Sequence, residues 1–239
     1  MISQRPEQMF EPSERAAPAN RSTDGRETYD ERLNHILEAA TEVIAREGYQ
    51  KASMRRVAKA ARASLAGLYH YFDSKEKMLF LIQFRTFTAL LNNLREKLHG
   101  VRDPVERLRV MVRSHVDYFA ANMAALKTCS QELDSLTTAA YDEIRKIRHD
   151  YYGLTRSVVE GAVDAHVPGS TLDPHVATMS LFGTLNWLYR WYHPKRDCSP
   201  SVLANQIAGQ FLHGVLGENR GRTSQHGREP SGMRQTIDD

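Results

Sequence analysis

The chain has 239 residues, a net charge of +3, two cysteines and ten histidines; that length suits one large domain, or a small one joined to a larger. Cys129 and Cys198 stand far apart without CxxC spacing, which argues against a disulfide scaffold or a zinc knuckle, so no metal is expected. No apolar run nears the roughly 20 residues of a membrane span, and the opening MISQRPEQMFEPSER lacks a signal-peptide core, so the expected location is the cytoplasm, with no membrane partner.

Residues 1–28 and 218–239 are rich in Pro, Glu, Arg, Ser and Gly with little to bury, and read as disordered tails. Between them the periodicity is helical. Leu33, Ile36, Leu37, Ala40, Val43 and Ile44 recur at three and four residues, and Gly48 is placed to end that helix. Ser53 caps a short helix over Met54 to Ala61, and Ser64 caps a second that ends near Tyr71. Ser74 then opens a long helix to Gly100. Asp103-Pro104 and Asp173-Pro174 pair a capping aspartate with proline at the first helical position, and Ser199-Pro200 repeats the pattern. Further helices are expected over 124–135, 137–166, 174–193 and 200–216, about nine in all, with no strand.

Two short helices joined by three or four residues and set between longer ones describe a helix-turn-helix over residues 53–72. In such a motif the second helix lies in the DNA major groove and the first braces it across the backbone. Charge agrees. From Lys51 to Lys77 there are seven cations against Asp73 and Glu76, although the stretch from Ala63 to Ser74 holds none. The cations Arg55, Arg56, Lys59 and Arg62 supply attraction to phosphates. Ser64, Leu65, Ala66 and Gly67 are short or apolar enough to approach base edges and thymine methyls. Ser53, Tyr69 and His70 carry polar groups for the DNA, and Lys75 is expected to turn its ammonium towards a phosphate.

The run from AREGY through MRRVAKAA to SLAGLYHYFDSKEKML, within residues 29–84, resembles the DNA-binding domain of the TetR family of bacterial transcriptional regulators. That resemblance implies an all-α homodimer whose larger C-terminal domain, residues 85–217, binds a small effector and dimerises. It implies a double-stranded, palindromic operator, no cofactor and release on effector binding. Where such turns usually carry glycine this chain has Arg62, which costs about 1–2 kcal/mol if the residue is left-handed.

The C-terminal run FGTLNWLYRWYHP, followed by SP and a pattern of LA, IA and FL, resembles repressors that sense acyl-CoA thioesters in fatty-acid, phenylacetate or steroid-ring degradation. This implies an acyl tunnel and basic groups for the nucleotide. Arg145, Arg148 and His149 are candidates for CoA phosphates, with a solvated helix face as the other reading. Arg190 stands among Trp187, Tyr189, Trp191 and Tyr192 on a helix expected to be largely buried, where a guanidinium needs an anionic partner, either a ligand or a carboxylate of the protein itself. Phe182, Trp187 and Trp191 line a pocket, the core or a dimer interface. A sensor of lipophilic or aromatic compounds controlling efflux is the alternative. An enzyme is not expected: no HExxH, GxSxG or phosphate-loop pattern is present, and lone histidines such as His115 and His175 are expected to be structurally satisfied.

Overall fold

A computed structural model describes residues 28–166 and 168–216, so both expected tails lie outside the described residues, save for Thr28. Thr28 belongs to the fold. It forms a capping box with Glu31 and so starts α1, Tyr29–Glu47, whose apolar stripe is buried as the spacing predicts. Gly48, with φ 81°, ends it.

Serine then punctuates the chain three times in the same way. Ser53, Ser64 and Ser74 each accept a hydrogen bond from the backbone N–H three residues on, and so open α2 (Met54–Ala60), α3 (Leu65–Tyr69) and α4 (Lys75–Leu98). Each cap satisfies a helix N–H left without an intrahelical partner and contributes about 1 kcal/mol. Helices as short as α2 and α3 do not hold themselves together; burial holds them. Leu33, Ile36, Val57, Ala58, Leu68, Phe72 and Met78 lie in one apolar core shared by α1 to α4.

Arg62 lies in the turn between α2 and α3 with φ 49°, alone among the described non-glycine residues in having positive φ. The glycine departure seen in the sequence is therefore a real strain. The Arg32 guanidinium donates to the carbonyls of Ala61 and Arg62 at 3.3 and 3.1 Å, which holds the turn in place. We expect Arg62→Gly to raise stability by about 0.5–1 kcal/mol, the relieved strain being partly offset by a more flexible unfolded chain. Denaturant titration of the two proteins checks this.

The remaining helices are α5 (Pro104–Ala121), α6 (Met123–Gln131), α7 (Thr138–His166), α8 (Pro174–Asn186), the single turn α9 (Leu188–Trp191) and α10 (Pro200–Leu216). No strand occurs among the described residues. The α5, α7, α8 and α10 helices build a second, larger core with the C-terminal half of α4, around Leu94, Met111, Val112, Val159, Leu181 and Ala208. Two expected helices prove discontinuous. The segment 124–135 passes from α6 into a 3₁₀ turn, Leu133–Ser135, and 174–193 breaks at Trp187 although neither proline nor glycine marks the place. Its end is set from a distance: Tyr192 is buried, and its hydroxyl donates to the Cys198 carbonyl at 2.8 Å.

Polar bonds tie the two cores together. Glu132, just after α6, accepts from the Tyr49 N–H at 3.0 Å, and Gln83 of α4 donates to the Glu132 carbonyl. Glu76 accepts from the Thr137 N–H. These bonds join the residues between α6 and α7 to α4 and to the α1–α2 loop.

Candidate functional site

On the reading face, α2 and α3 turn Arg55, Arg56, Lys59, Arg62, Ser64, Ala66, Tyr69 and His70 outward. Arg62, Ser64, Gly67 and His70 border one shallow groove of about 370 Å³ beside α1. Leu68 faces the opposite way and is completely buried, so it anchors the face without belonging to it. Tyr69 is 50 % exposed. His70 packs its ring edge against Tyr71, which stacks on Tyr29 with centroids 4.8 Å apart, so the start of α1 braces the end of α3.

Several sequence-predicted residues stand differently from their expected roles. Lys75 does not present a free ammonium: its Nζ donates to the carbonyls of Ala52 (3.0 Å) and Gln50 (3.4 Å) and lies 4.1 Å from the Tyr49 ring centre. It pins the loop between α1 and α2. Arg56 is ion-paired with Glu47, whose carboxyl it holds below the usual range, so its charge is partly neutralised. The Ser53 hydroxyl is occupied as a cap for the Arg56 N–H. Leu65 is half-buried against the head core. A Cβ at Gly67 would sit 3.0 Å from Ser64 Oγ, so any side chain there would press on the hydroxyl that caps α3.

The C-terminal candidates separate. Arg145 and His149 share an exposed face of α7, as the four-residue spacing predicts, but Arg148 turns inward. Its guanidinium donates to the Cys129 carbonyl at 3.4 Å and lies over the Phe87 ring, and burial lowers its pKa. Arg190 was expected to be buried. It is exposed instead and flanked by the rings of Trp187 and Tyr189 at 5.2 and 5.8 Å, so within a protomer it needs no carboxylate. The break at Trp187 is the cause, for it leaves Trp187 and Trp191 about half exposed, at 53 % and 47 %.

Phe182 alone of the aromatic candidates faces the inside of the bundle, where it meets residues that sequence reasoning passed over. Its ring lies 6.2 Å from His115 of α5 and 5.8 Å from Tyr151 of α7. His115 is buried, and its Nδ1 is 2.9 Å from the Tyr151 hydroxyl. Among the described residues its Nε2 has no hydrogen-bond partner, nor has the hydroxyl of Thr155, one helical turn beyond Tyr151. The available signal was a histidine on the apolar stripe Leu108, Met111, Val112, His115, Phe119; nothing local distinguishes it from a satisfied core residue.

Burial alone lowers the His115 pKa to about 3. Between that value and the ordinary 6.5 the unfolded chain binds a proton that the folded chain refuses, so this contribution to stability is present above pH 6.5 and is lost as pH falls. We expect about 1.4 kcal/mol to disappear between pH 7.5 and pH 5.5. Denaturant titrations at the two pH values check it, and His115→Phe should remove that share of the loss.

Two family models match the chain: "Bacterial regulatory proteins, tetR family" over residues 36–82, and "Tetracyclin repressor-like, C-terminal domain" over residues 101–215. The fatty acid metabolism regulator protein of Bacillus subtilis is 22 % identical over 181 residues, 75 % of this chain and 93 % of that protein. The repressor KstR2 of Rhodococcus jostii is 26 % identical over 186 residues, 77 % of this chain and 89 % of that protein. Among solved structures, AibR in complex with isovaleryl coenzyme A and operator DNA superposes with a TM-score of 0.65 at 26 % identity, covering 77 % of this chain and 98 % of that one. The two models take in both the helix-turn-helix and the larger bundle. The chain belongs to the TetR family: it is a DNA-binding transcriptional regulator and not an enzyme, and its partners are operator DNA, a small-molecule effector and a second subunit.

Proposed function

We propose that this regulator is a repressor, acting in the cytoplasm on a palindromic operator, and that an acyl-CoA thioester releases it. The observation that carries the effector class is the uncharged polar group set inside an apolar bundle, His115 with Tyr151 and Phe182, which suits a neutral acyl group and offers nothing to a bare charge. Support comes from relatives named for fatty-acid metabolism and from AibR with isovaleryl coenzyme A. Residues 29–84 read the DNA. Arg55, Lys59 and Arg62 attract phosphates, Tyr69 and His70 contact them, and Ser64, Ala66 and Gly67 meet the bases. Residues 85–217 hold the effector and dimerise, with Arg148 as the half-buried cation for its anionic portion.

The dimer surface is the outer side of α8 to α10. Val176, Met179, Trp187, Trp191 and Val202 are exposed there in the protomer, and apolar area of that kind is covered when a two-fold partner packs on it. Trp187→Glu should therefore give monomers in sedimentation and lose operator binding, since a palindrome needs two recognition helices about 34 Å apart.

Mobility shift on the chain's own upstream DNA tests the reading, with isovaleryl-CoA, octanoyl-CoA, phenylacetyl-CoA and the corresponding free acids. Release by one or more thioesters and by no acid is the expected result. Release only by uncharged aromatic compounds would overturn the reading in favour of a lipophile sensor.

A further inference from the structure

The contact between His115 and Tyr151 has two possible polarities, and counting hydrogen bonds separates them. If the imidazole donated through Nδ1, the buried Tyr151 hydroxyl proton would have no acceptor and Nε2 would be a buried acceptor without a donor. If the tyrosine donates to Nδ1, only one strong group is left over, the Nε2–H. The second arrangement leaves fewer buried groups unmet, so the fold sets His115 as an Nε2–H donor without an acceptor among the described residues.

A buried donor without a partner costs the protein stability, and an apolar residue would have filled the same place without that cost. Its surroundings say what would satisfy it. Phe119 and Phe182 supply aromatic walls at 4.8 and 6.2 Å, and Thr155 offers a second unpartnered polar atom one turn along α7. Burial is what lowers the pKa of the imidazole, and its hydrogen-bond partner among the described residues is the neutral Tyr151 hydroxyl. A carboxylate placed there would lose its hydration with no cation in exchange, whereas a neutral carbonyl needs only the one hydrogen bond.

We propose that His115 is the specificity-determining residue for the acyl group: its Nε2–H donates to the carbonyl oxygen of the effector's thioester, and Tyr151 is the positioning residue that holds the tautomer. This rests on the acyl-CoA reading above and deepens it. It accounts for a preference for the thioester over the free acid without any contact to a phosphate.

The test compares each active acyl-CoA with its S-alkyl thioether analogue, which keeps chain and nucleotide but lacks the carbonyl. Operator release is scored as the ratio of half-effective concentrations within each protein, so that altered operator affinity cancels. In the wild type the thioether should be weaker by about 10- to 100-fold. That ratio should fall to near one in His115→Phe and recover in part in His115→Gln, which restores a donor. Nitrogen-15 spectra of histidine-labelled protein should show a neutral, Nε2-protonated ring, and Tyr151→Phe should mix the two tautomers. A wild-type ratio near one, a ratio unchanged in His115→Phe, or an Nδ1-protonated ring would overturn the assignment and leave the acyl-CoA reading standing. If no acyl-CoA releases the operator, that reading falls and this proposal with it.

Discussion

Leu68→Ala should abolish operator binding at ordinary temperature while the C-terminal bundle stays folded. Leu68 is completely buried in the core shared by α1 to α4, the head of the molecule, together with Val57 of α2 and Phe72 beyond α3. The recognition helix has five residues, too few to persist by its own hydrogen bonds. Its cap at Ser64 contributes about 1 kcal/mol, so Leu68 is the main reason that α3 lies where it does. Truncating a buried leucine removes its transfer free energy and leaves a cavity, about 3–5 kcal/mol together, which is a large part of what a small domain has. Circular dichroism should show an early transition for the head ahead of a largely unshifted one for the bundle. Operator affinity equal to wild type would show that α3 is held by something other than this core.

Lys75→Met is the second large effect, and it separates two roles for one lysine. As a phosphate ligand, Lys75 would weaken binding to every DNA sequence and flatten the salt dependence by about one contact, with the fold untouched. The geometry gives the opposite expectation. Two hydrogen bonds to the carbonyls of Gln50 and Ala52 and the contact with the Tyr49 ring hold the α1–α2 loop, and their loss from a half-exposed site should destabilise the head by about 2 kcal/mol. The salt slope should stay near that of wild type once both proteins are measured fully folded. A flatter slope with unchanged stability would return Lys75 to the DNA contacts.

The same loop is held from two sides. Lys75 grips it from α4, while the Glu132 carboxylate grips the Tyr49 N–H from the end of α6. Arg148 ties α7 to α6 at the Cys129 carbonyl, one turn from Tyr151. A short chain of contacts therefore runs from Tyr151 of α7, which faces His115 of α5, to the helix-turn-helix. Three of its members, Lys75, Glu132 and Arg148, are polar side chains bonded to backbone groups.

Much of this was legible from short-range chemistry. Serines at 53, 64 and 74, aspartates at 103 and 173 followed by proline, and Gly48 mark helix ends because a helix end leaves backbone groups unpaired and only a few residue types satisfy them. Arg62 was legible for the same reason: a turn of that length needs one left-handed residue, and the chain placed an arginine there. Helical spacing likewise marked the buried side of α1 and the outward pairing of Arg145 with His149.

The cluster of His115, Tyr151 and Phe182, proposed above as the effector site, was not legible, because its parts come from three helices. Nothing near His115 announces Tyr151, 36 residues on, or Phe182; the sequence grouped Arg148 with Arg145 and His149, although it turns inward, and the aromatic neighbours of Arg190 suggested a buried helix where the structure leaves Arg190 exposed. The sequence by itself determined the class of the molecule: which segments are helices, that two of them form a reading motif, and where the cations flank it. Only the tertiary structure decided which charged and polar groups were already satisfied by the protein and which were left over for a partner. Helix ends and periodicity are properties of neighbouring residues, whereas satisfaction of a buried group depends on what folding brings to it from elsewhere in the chain.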